Sequence, residues 1–454
     1  MSWCKCKTTC LLCMLLVLGF YLRSESLWQT VAVPPAIRAD AGDYFTYAYN
    51  LYHHGIYSRD HRGLTEEGAA GGIVPDAVRS PGYPLFLMLF MGGATIPVIL
   101  SHVLFSQVLI STLTMALAYL VFRRFLNFFW AASATLLTAL CPHLIVVNTY
   151  LLTETLFAFL LVLSGLAFCR VADRRAWPTA AVLGILIGAA ALVRPSLIYF
   201  PFCAAAFLLL TVKKRKGAQL AVSVLIGFFV MVGPWHARNM VSLGIFTDKT
   251  LSVGSMHHGI YPNFMYDGKQ ESYGYPYRFD PRSAVIGKDF GTVASEIVAR
   301  FQSDPLGYAA WYLLKKPAAL WSWSLVQGHD IFIYPILQSP YFNDIAFIWS
   351  RQVMRWMHEP LGWLCLLGCI TVWLPGTANR VGEKQVTMLR FISLVMAYFT
   401  VIHLIAAAFP RYSIPLRPLY YGMAMFTCSL VFDNLWSWYG KRISSQAEKA
   451  QPTA

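Results

Sequence analysis

The chain has 454 residues, 57% of them hydrophobic and only 13% charged, with a formal net charge of +14. Soluble globular proteins carry about 25% charged residues, so this composition excludes a soluble protein and describes an integral membrane protein of many spans. The basic residues stand in short clusters between apolar runs, not in a stripe on a polar domain, which follows the bias of cytoplasmic loops and argues against nucleic-acid binding.

Lys5 and Lys7 precede an apolar run from Cys10 to Leu22. No small-residue cleavage site follows, so the run reads as an uncleaved first transmembrane helix that reaches spanning length toward Trp28. Cys4, Cys6, Cys10 and Cys13 crowd this end, where lipidation of a thiol is one reading. The single cysteines of later apolar runs, such as Cys141, Cys169, Cys203 and Cys365, read as small buried hydrophobes.

A polar segment of about residues 24–80 comes next. Within it, Tyr44, Tyr47, Ala48 and Leu51 repeat at helical spacing after Asp40 and Asp43, and Gly55 supplies a stop. A Gly-rich piece from Gly68 to Gly72 and the motif Arg79-Ser-Pro-Gly-Tyr-Pro84 follow. Residues 84–96 are apolar but short, as in an interfacial or re-entrant helix. Further spans are expected near 98–122, 129–147, 150–169, 178–193, 195–212, 219–235, 361–375, 390–409 and 414–435, about ten in all with the first.

With a cytoplasmic N-terminus and a non-crossing 84–96, Arg123-Arg124, Arg170 with Arg174-Arg175, Lys213 to Lys216, Arg380 with Lys384, and Lys441-Arg442 all fall on the cytoplasmic side. The polar loops, about 24–97 and 236–360, then face outward. The second has helical patterns at 292–303 and 305–325, and it is expected to pack on the bundle and cover the site.

Carboxylates at span ends are costly to place and point to function. Asp40 also suits a helix N-cap; Asp43 and Glu154 stand at one membrane level and invite a shared site for proton transfer or cation binding. Arg194, Arg238 and Arg411 lie on the outward side, where basic residues are disfavoured, and guanidinium forks match phosphate oxygens. The pairs His53-His54 and His257-His258 diverge on a helix and do not suit chelation. No Gly-rich phosphate loop or nucleophile elbow is present.

The pattern Asp43-Tyr44-x-x-Tyr47-Ala48-x-x-Leu51-x-x-x-Gly55 resembles the first outer loop of GT-C glycosyltransferases. The group most similar contains dolichyl-phosphate-mannose protein mannosyltransferases and lipid A aminoarabinose transferases. Arg79-x-Pro81-Gly82-Tyr83-Pro84, Leu152-Thr153-Glu154-x-Leu156-Phe157, Leu192-x-Arg194-Pro195, Gly233-Pro234-Trp235-x-x-Arg238-Asn239 and Pro410-Arg411-Tyr412-x-x-Pro415-x-x-Pro418 follow in family order over about residues 10–435.

The resemblance implies an all-α polytopic bundle with two large non-cytoplasmic loops and an outward active site. It implies a polyprenyl-phosphate sugar donor and inversion at the sugar carbon during hexosyl or pentosyl transfer. Asp43, with Asp40 and Glu154, would be catalytic, and Arg194, Arg238 and Arg411 would hold donor phosphate. Tyr44, Tyr47, Arg79, Tyr83 and Tyr412 would line the site. Relatives often carry an acidic pair where Tyr44 follows Asp43 here, which leaves a divalent metal ion open; no nucleotide or redox cofactor is expected.

The expected divisions are 1–23, 24–97, 98–235, 236–360, 361–435 and a cytoplasmic tail at 436–454. Expected partners are the lipid-linked donor, an acceptor protein, lipid or glycan, and membrane lipids. The expected place is a bacterial inner membrane, with chemistry on the periplasmic face. The rival readings are a polymerase or ligase using a polyprenyl-diphosphate donor, and a transporter or flippase; charges at span ends, not mid-membrane, disfavour a carrier.

Overall fold

The computed structural model describes residues 2–35, 37–65, 72–93 and 95–449, with side chains for those between 9 and 438. Gly68 to Gly71 and the side chains of Cys4, Cys6, Lys441 and Arg442 lie outside the described residues.

The protein is a helical bundle. Five described helices are long and apolar enough to cross a membrane, within Thr9–Gln29, Ile96–Phe122, Glu154–Arg174, Lys214–Leu243 and Glu383–Ile405. A sixth candidate is Phe128–Leu140 joined to Pro142–Thr149 across a 55° bend. The bend has a local cause. Pro142 has no N–H for the preceding turn and forces Cys141 out of the helical region, to ψ 110°. Trp177–Val193 and Phe200–Thr211 are shorter apolar helices, and the long helices Ile345–Thr371 and Arg417–Lys449 complete the bundle. Every expected span therefore coincides with helix, although only five or six pass a spanning test by length and composition.

Six of these helices are used below. They are α1 (Ser2–Gln29), α2 (Ala39–His54), α3 (Glu154–Arg174), α4 (Trp177–Val193), α5 (Ile345–Thr371) and α6 (Glu383–Ile405).

One contact inside the bundle has no counterpart in the sequence pattern. Arg23, in the membrane part of α1, is 1% exposed and donates to Ser111 Oγ (2.7 Å), Gly19 O (3.0 Å), Thr138 O (3.2 Å) and Ala139 O (3.3 Å). It staples α1 to two other spans beside the bend, using neutral acceptors alone.

The two polar segments meet at one rim. β1 (Val31–Ala32) and β2 (Ile336–Gln338) pair antiparallel, with Val31 opposite Gln338. The second segment contributes helices at Phe290–Ser303 and Pro305–Ala310, then a π-turn at Trp311–Lys315 and a helix at Lys316–Leu320. Lys316 fastens this run to the bundle. Its ammonium donates to Leu404 O (2.6 Å) and Ala406 O (3.1 Å), the terminal carbonyls of α6, where a cation also meets the negative end of the helix dipole.

Candidate active site

The site grows from helix ends. α2 stops at Gly55, whose φ of 67° suits a residue without Cβ, as its sequence pattern predicts. Asp40 lies in its first turn and Asp43 three residues on. Arg38, not Asp40, occupies the N-cap position. The capping role weighed for Asp40 is thereby corrected: its carboxylate is committed to ion pairs instead.

Arg79 approaches from the motif that ends at Pro84. Tyr57 Oη donates to Arg79 O (3.0 Å), and the Arg79 N–H donates to Tyr47 Oη (3.4 Å), which fixes that backbone. Gly82 makes the fit possible. A Cβ there would stand 2.6 Å from the Leu192 carbonyl carbon and the Val193 nitrogen, so only glycine lets the motif lie against the end of α4. Arg194 follows directly as the C-cap of α4, Glu154 opens α3, and Arg411 sits in a short 3-10 turn, Pro410–Leu416.

These six side chains form one alternating row. Arg194 Nη1 lies 3.5 Å from Glu154 Oε1, which also accepts from Arg411 Nε at 2.5 Å. Arg411 Nη1 donates to Asp40 Oδ2 at 2.9 Å, and Arg79 Nη2 to Asp40 Oδ1 at 2.7 Å. Arg79 ends the row on Asp43 Oδ2, through Nη2 at 2.8 Å and Nε at 3.0 Å. The order is Arg194, Glu154, Arg411, Asp40, Arg79, Asp43, with three charges of each sign.

Rings seat the row. The Arg194 guanidinium lies over Tyr412 (4.8 Å) and Phe157 (5.9 Å), and that of Arg79 over Tyr44 (5.2 Å). Burial by itself would raise the Asp40 carboxyl, but Arg411 and Arg79 outweigh it and hold Asp40 at about 2. Burial would lower Arg411, yet Glu154 and Asp40 drive it far above its ordinary value.

Among the described residues, two buried oxygens at this site have no hydrogen-bond partner: Glu154 Oε2 and Tyr334 Oη. Tyr334 is not among the residues that the sequence singles out. It stands 5.3 Å from the Tyr150 ring, and the Arg38 guanidinium is 5.5 Å from its own ring. It reaches the first segment only because β1 pairs with β2, a long-range event with no local signal. Desolvation raises its phenol, and it feels the charges of Arg411, Asp40 and Glu154.

Other expectations from the sequence are corrected. Arg238 does not join the row: it donates to Asp76 O (2.8 Å) and Tyr57 O (3.0 Å) and so clamps the first segment. Tyr47 and Tyr83 are fully buried, so neither lines an open surface. Tyr47 bonds Asp76, while Tyr83 bonds Gln107 Oε1 (2.7 Å) and meets Tyr44 edge-on at 5.1 Å. Their work is to support Tyr44 and Arg79 from behind. Arg79, expected only to line the site, bridges its two aspartates. His257 pairs with Tyr261 Oη (3.0 Å) and His258 packs on Phe409 (4.8 Å).

The carboxylates do not fit a divalent cation as arranged. Among the described residues no three His, Cys, Asp or Glu side chains gather as ligands. A guanidinium separates Asp40 from Glu154, and another occupies the face that Asp40 shares with Asp43.

Comparison with known proteins accords with this construction. The profile of the family described as dolichyl-phosphate-mannose-protein mannosyltransferase matches residues 81–236, a stretch that holds Glu154 and Arg194. The archaeal oligosaccharyltransferase AglB from Archaeoglobus fulgidus, solved with an inhibitory peptide and a dolichol-phosphate, superposes with a TM-score of 0.55 at 13% identity, over 100% of this chain and 53% of that one. The chain has the fold of a GT-C enzyme, and the mannosyltransferase profile matches about a third of it.

A second GT-C structure, the A. fulgidus oligosaccharyltransferase tethered to an acceptor peptide containing the NVT sequon, gives 0.53 at 13% identity, over 96% of this chain and 51% of that one. The apo form gives 0.50 at 12% identity, over 98% and 52%. The chain thus spans about half the length of the structures it matches, and at such identity the likeness is one of fold. A search among curated proteins found no match.

Proposed function

We propose that the chain is a glycosyltransferase that moves a sugar from a polyprenyl-phosphate donor to an acceptor hydroxyl, with inversion, on the non-cytoplasmic face of a bacterial inner membrane. The observation that carries this reading is the alternating row of charges at one rim of the bundle. It supplies what such a transfer needs, and the ends of the row are its least committed members.

At one end, Arg194 holds Glu154 only at 3.5 Å, so a phosphate can compete for it and for Arg411 with bidentate geometry. At the other, Asp43 uses Oδ2 for Arg79, and Oδ1 makes no hydrogen bond among the described residues. In the reaction, the acceptor oxygen bonds to the anomeric carbon as the bond from that carbon to the phosphate oxygen breaks. The phosphate leaves with the electron pair toward Arg194 and Arg411. The acceptor proton passes to Asp43, with Asp40 and Glu154 fixing the arginines between them. Lipid phosphate is a good leaving group, so no strong acid is required. Glu154 Oε2 and Tyr334 Oη remain to receive or donate to sugar hydroxyls. The neighbouring solved structures are oligosaccharyltransferases, so a preassembled glycan on a diphosphate lipid is the alternative donor.

The test uses purified protein in proteoliposomes with a panel of radiolabelled polyprenyl-phosphate sugars. Asp43→Asn is expected to lower transfer by about 10²–10⁴-fold, the usual range for a positioned base, with donor binding kept. Transfer equal to that of the parent removes Asp43 from the role.

A further inference from the structure

A second concave surface lies apart from the row of charges. It is a groove of about 850 Å³ between the run Trp311–Leu320 and the middle of α5, with Tyr273 at one edge. Lys315, Arg355, Trp356, His358 and Glu359 line it. An aromatic partition separates it from the first site: Phe264 of its wall packs on Phe409 (5.0 Å), Phe409 on Tyr412 (5.6 Å), and Tyr412 on Arg194.

Its level in the membrane follows from the helices around it. His358 bonds Trp321 O (2.7 Å) and Tyr420 Oη bonds His358 O (2.6 Å), while the neighbouring Trp321 Nε1 reaches Thr400 near the end of α6. The groove is therefore at the end of a span, at the bilayer rim. Its borders suit lipid: Leu313, Leu314 and Trp356 are 65%, 70% and 63% exposed.

Its charges are unspent. Lys315, Arg355 and Glu359 are exposed, and none has an ion-pair or hydrogen-bond partner among the described residues. Two cations and one carboxylate leave a local charge of +1. This is the opposite of the first site, where every guanidinium is matched.

We propose that this groove binds one glycerophospholipid, its phosphate between Lys315 and Arg355 and its hydroxylated head group donating to Glu359. The acyl chains would run past Leu313, Leu314 and Trp356 into the bilayer. Two cations complement a phosphate. The carboxylate, which would repel a bare phosphate, selects a head group with a hydrogen-bond donor and a net charge of −1, as in phosphatidylglycerol. A lipid so placed would bridge Trp311–Leu320 to α5 and steady the aromatic partition behind Tyr412. The proposal does not depend on the transfer reaction, and its test reads lipid, not sugar.

Native mass spectrometry of the full chain in detergent, with phosphatidylglycerol, phosphatidylcholine or inorganic phosphate added, decides it. The parent is expected to keep one phosphatidylglycerol at least tenfold more tightly than phosphatidylcholine. Lys315→Gln with Arg355→Gln should abolish that preference with an unchanged melting temperature, and Lys288→Gln, a control on the same segment, should leave it intact. Three results overturn the proposal: an unchanged preference in the double variant, an equal loss in the Lys288→Gln control, or displacement of the lipid by millimolar inorganic phosphate. Should the double variant fail to fold, Glu359→Ala decides: it must bring phosphatidylglycerol and phosphatidylcholine within about threefold, and an undiminished preference ends the proposal.

Discussion

Two groups of guanidinium side chains in this molecule are satisfied differently. Arg23, deep in α1, is surrounded by three backbone carbonyls and a serine hydroxyl, all neutral. Arg79, Arg194 and Arg411 face carboxylates, and beside them Glu154 Oε2 and Tyr334 Oη have no partner among the described residues. A cation closed off by neutral acceptors has nothing to exchange. A cation paired with a carboxylate can trade that partner for a phosphate. Burial of charge alone therefore does not mark a reactive site; the kind of partner does.

The largest effect that sharpens this contrast is expected at Arg411. It is the one cation shared by Asp40 and Glu154, so Arg411→Met leaves two carboxylates short of a partner. Breaking such a buried pair costs about 3–5 kcal/mol, read as a fall in melting temperature. Adding Glu154→Gln to Arg411→Met should recover part of that loss, because the orphaned charge is gone. A double variant less stable than Arg411→Met would show that the row is not coupled as its geometry implies.

Arg23→Met should cost less, about 1–3 kcal/mol, as for hydrogen bonds from a charged donor to neutral acceptors. Transfer per folded molecule should not change. A loss of turnover without loss of folded protein would erase the distinction drawn between the two places.

The same contrast explains how much is legible in the sequence. Glu154, Arg194 and Arg411 are legible because each stands where an apolar run ends, which hydropathy locates well, and Asp43 because a helically spaced pattern follows it. The helix over residues 39–54 and its stop at Gly55 are legible from spacing. Arg238 satisfies the same rule and fails, because its acceptors are the carbonyls of Tyr57 and Asp76, and carbonyls belong to every residue. Asp40 as cap or ion-pair partner is undecidable locally, since the Arg411 that decides it is 371 residues away. Tyr334 needs a strand pairing between segments about 300 residues apart in the chain, and a pairing of two or three residues carries no pattern. Arg23 directly follows the apolar run that ends at Leu22, with Glu25 two residues on, and nothing local distinguishes it from an interfacial charge.

Acid should separate the two places by the smallest expected effect. Asp40 titrates at about 2 in the folded chain against 3.8 ordinarily, because Arg411 and Arg79 overcome the burial that opposes ionisation. The folded pKa is the lower one, so this pairing stabilises the protein above about pH 4 and the contribution disappears as pH falls through about 2. With its side chain 31% exposed, solvent screening limits the contribution to about 1 kcal/mol. Arg23 and its neutral acceptors do not titrate there. Melting temperature followed from pH 5 to pH 2 should thus fall for the parent and for Arg23→Met with the same added slope, while Asp40→Asn, less stable at neutral pH, should lose that part of the slope. Parallel curves for the parent and Asp40→Asn would mean that the row does not hold Asp40 ionised, and its carboxylate would then be no better matched to arginine than an amide.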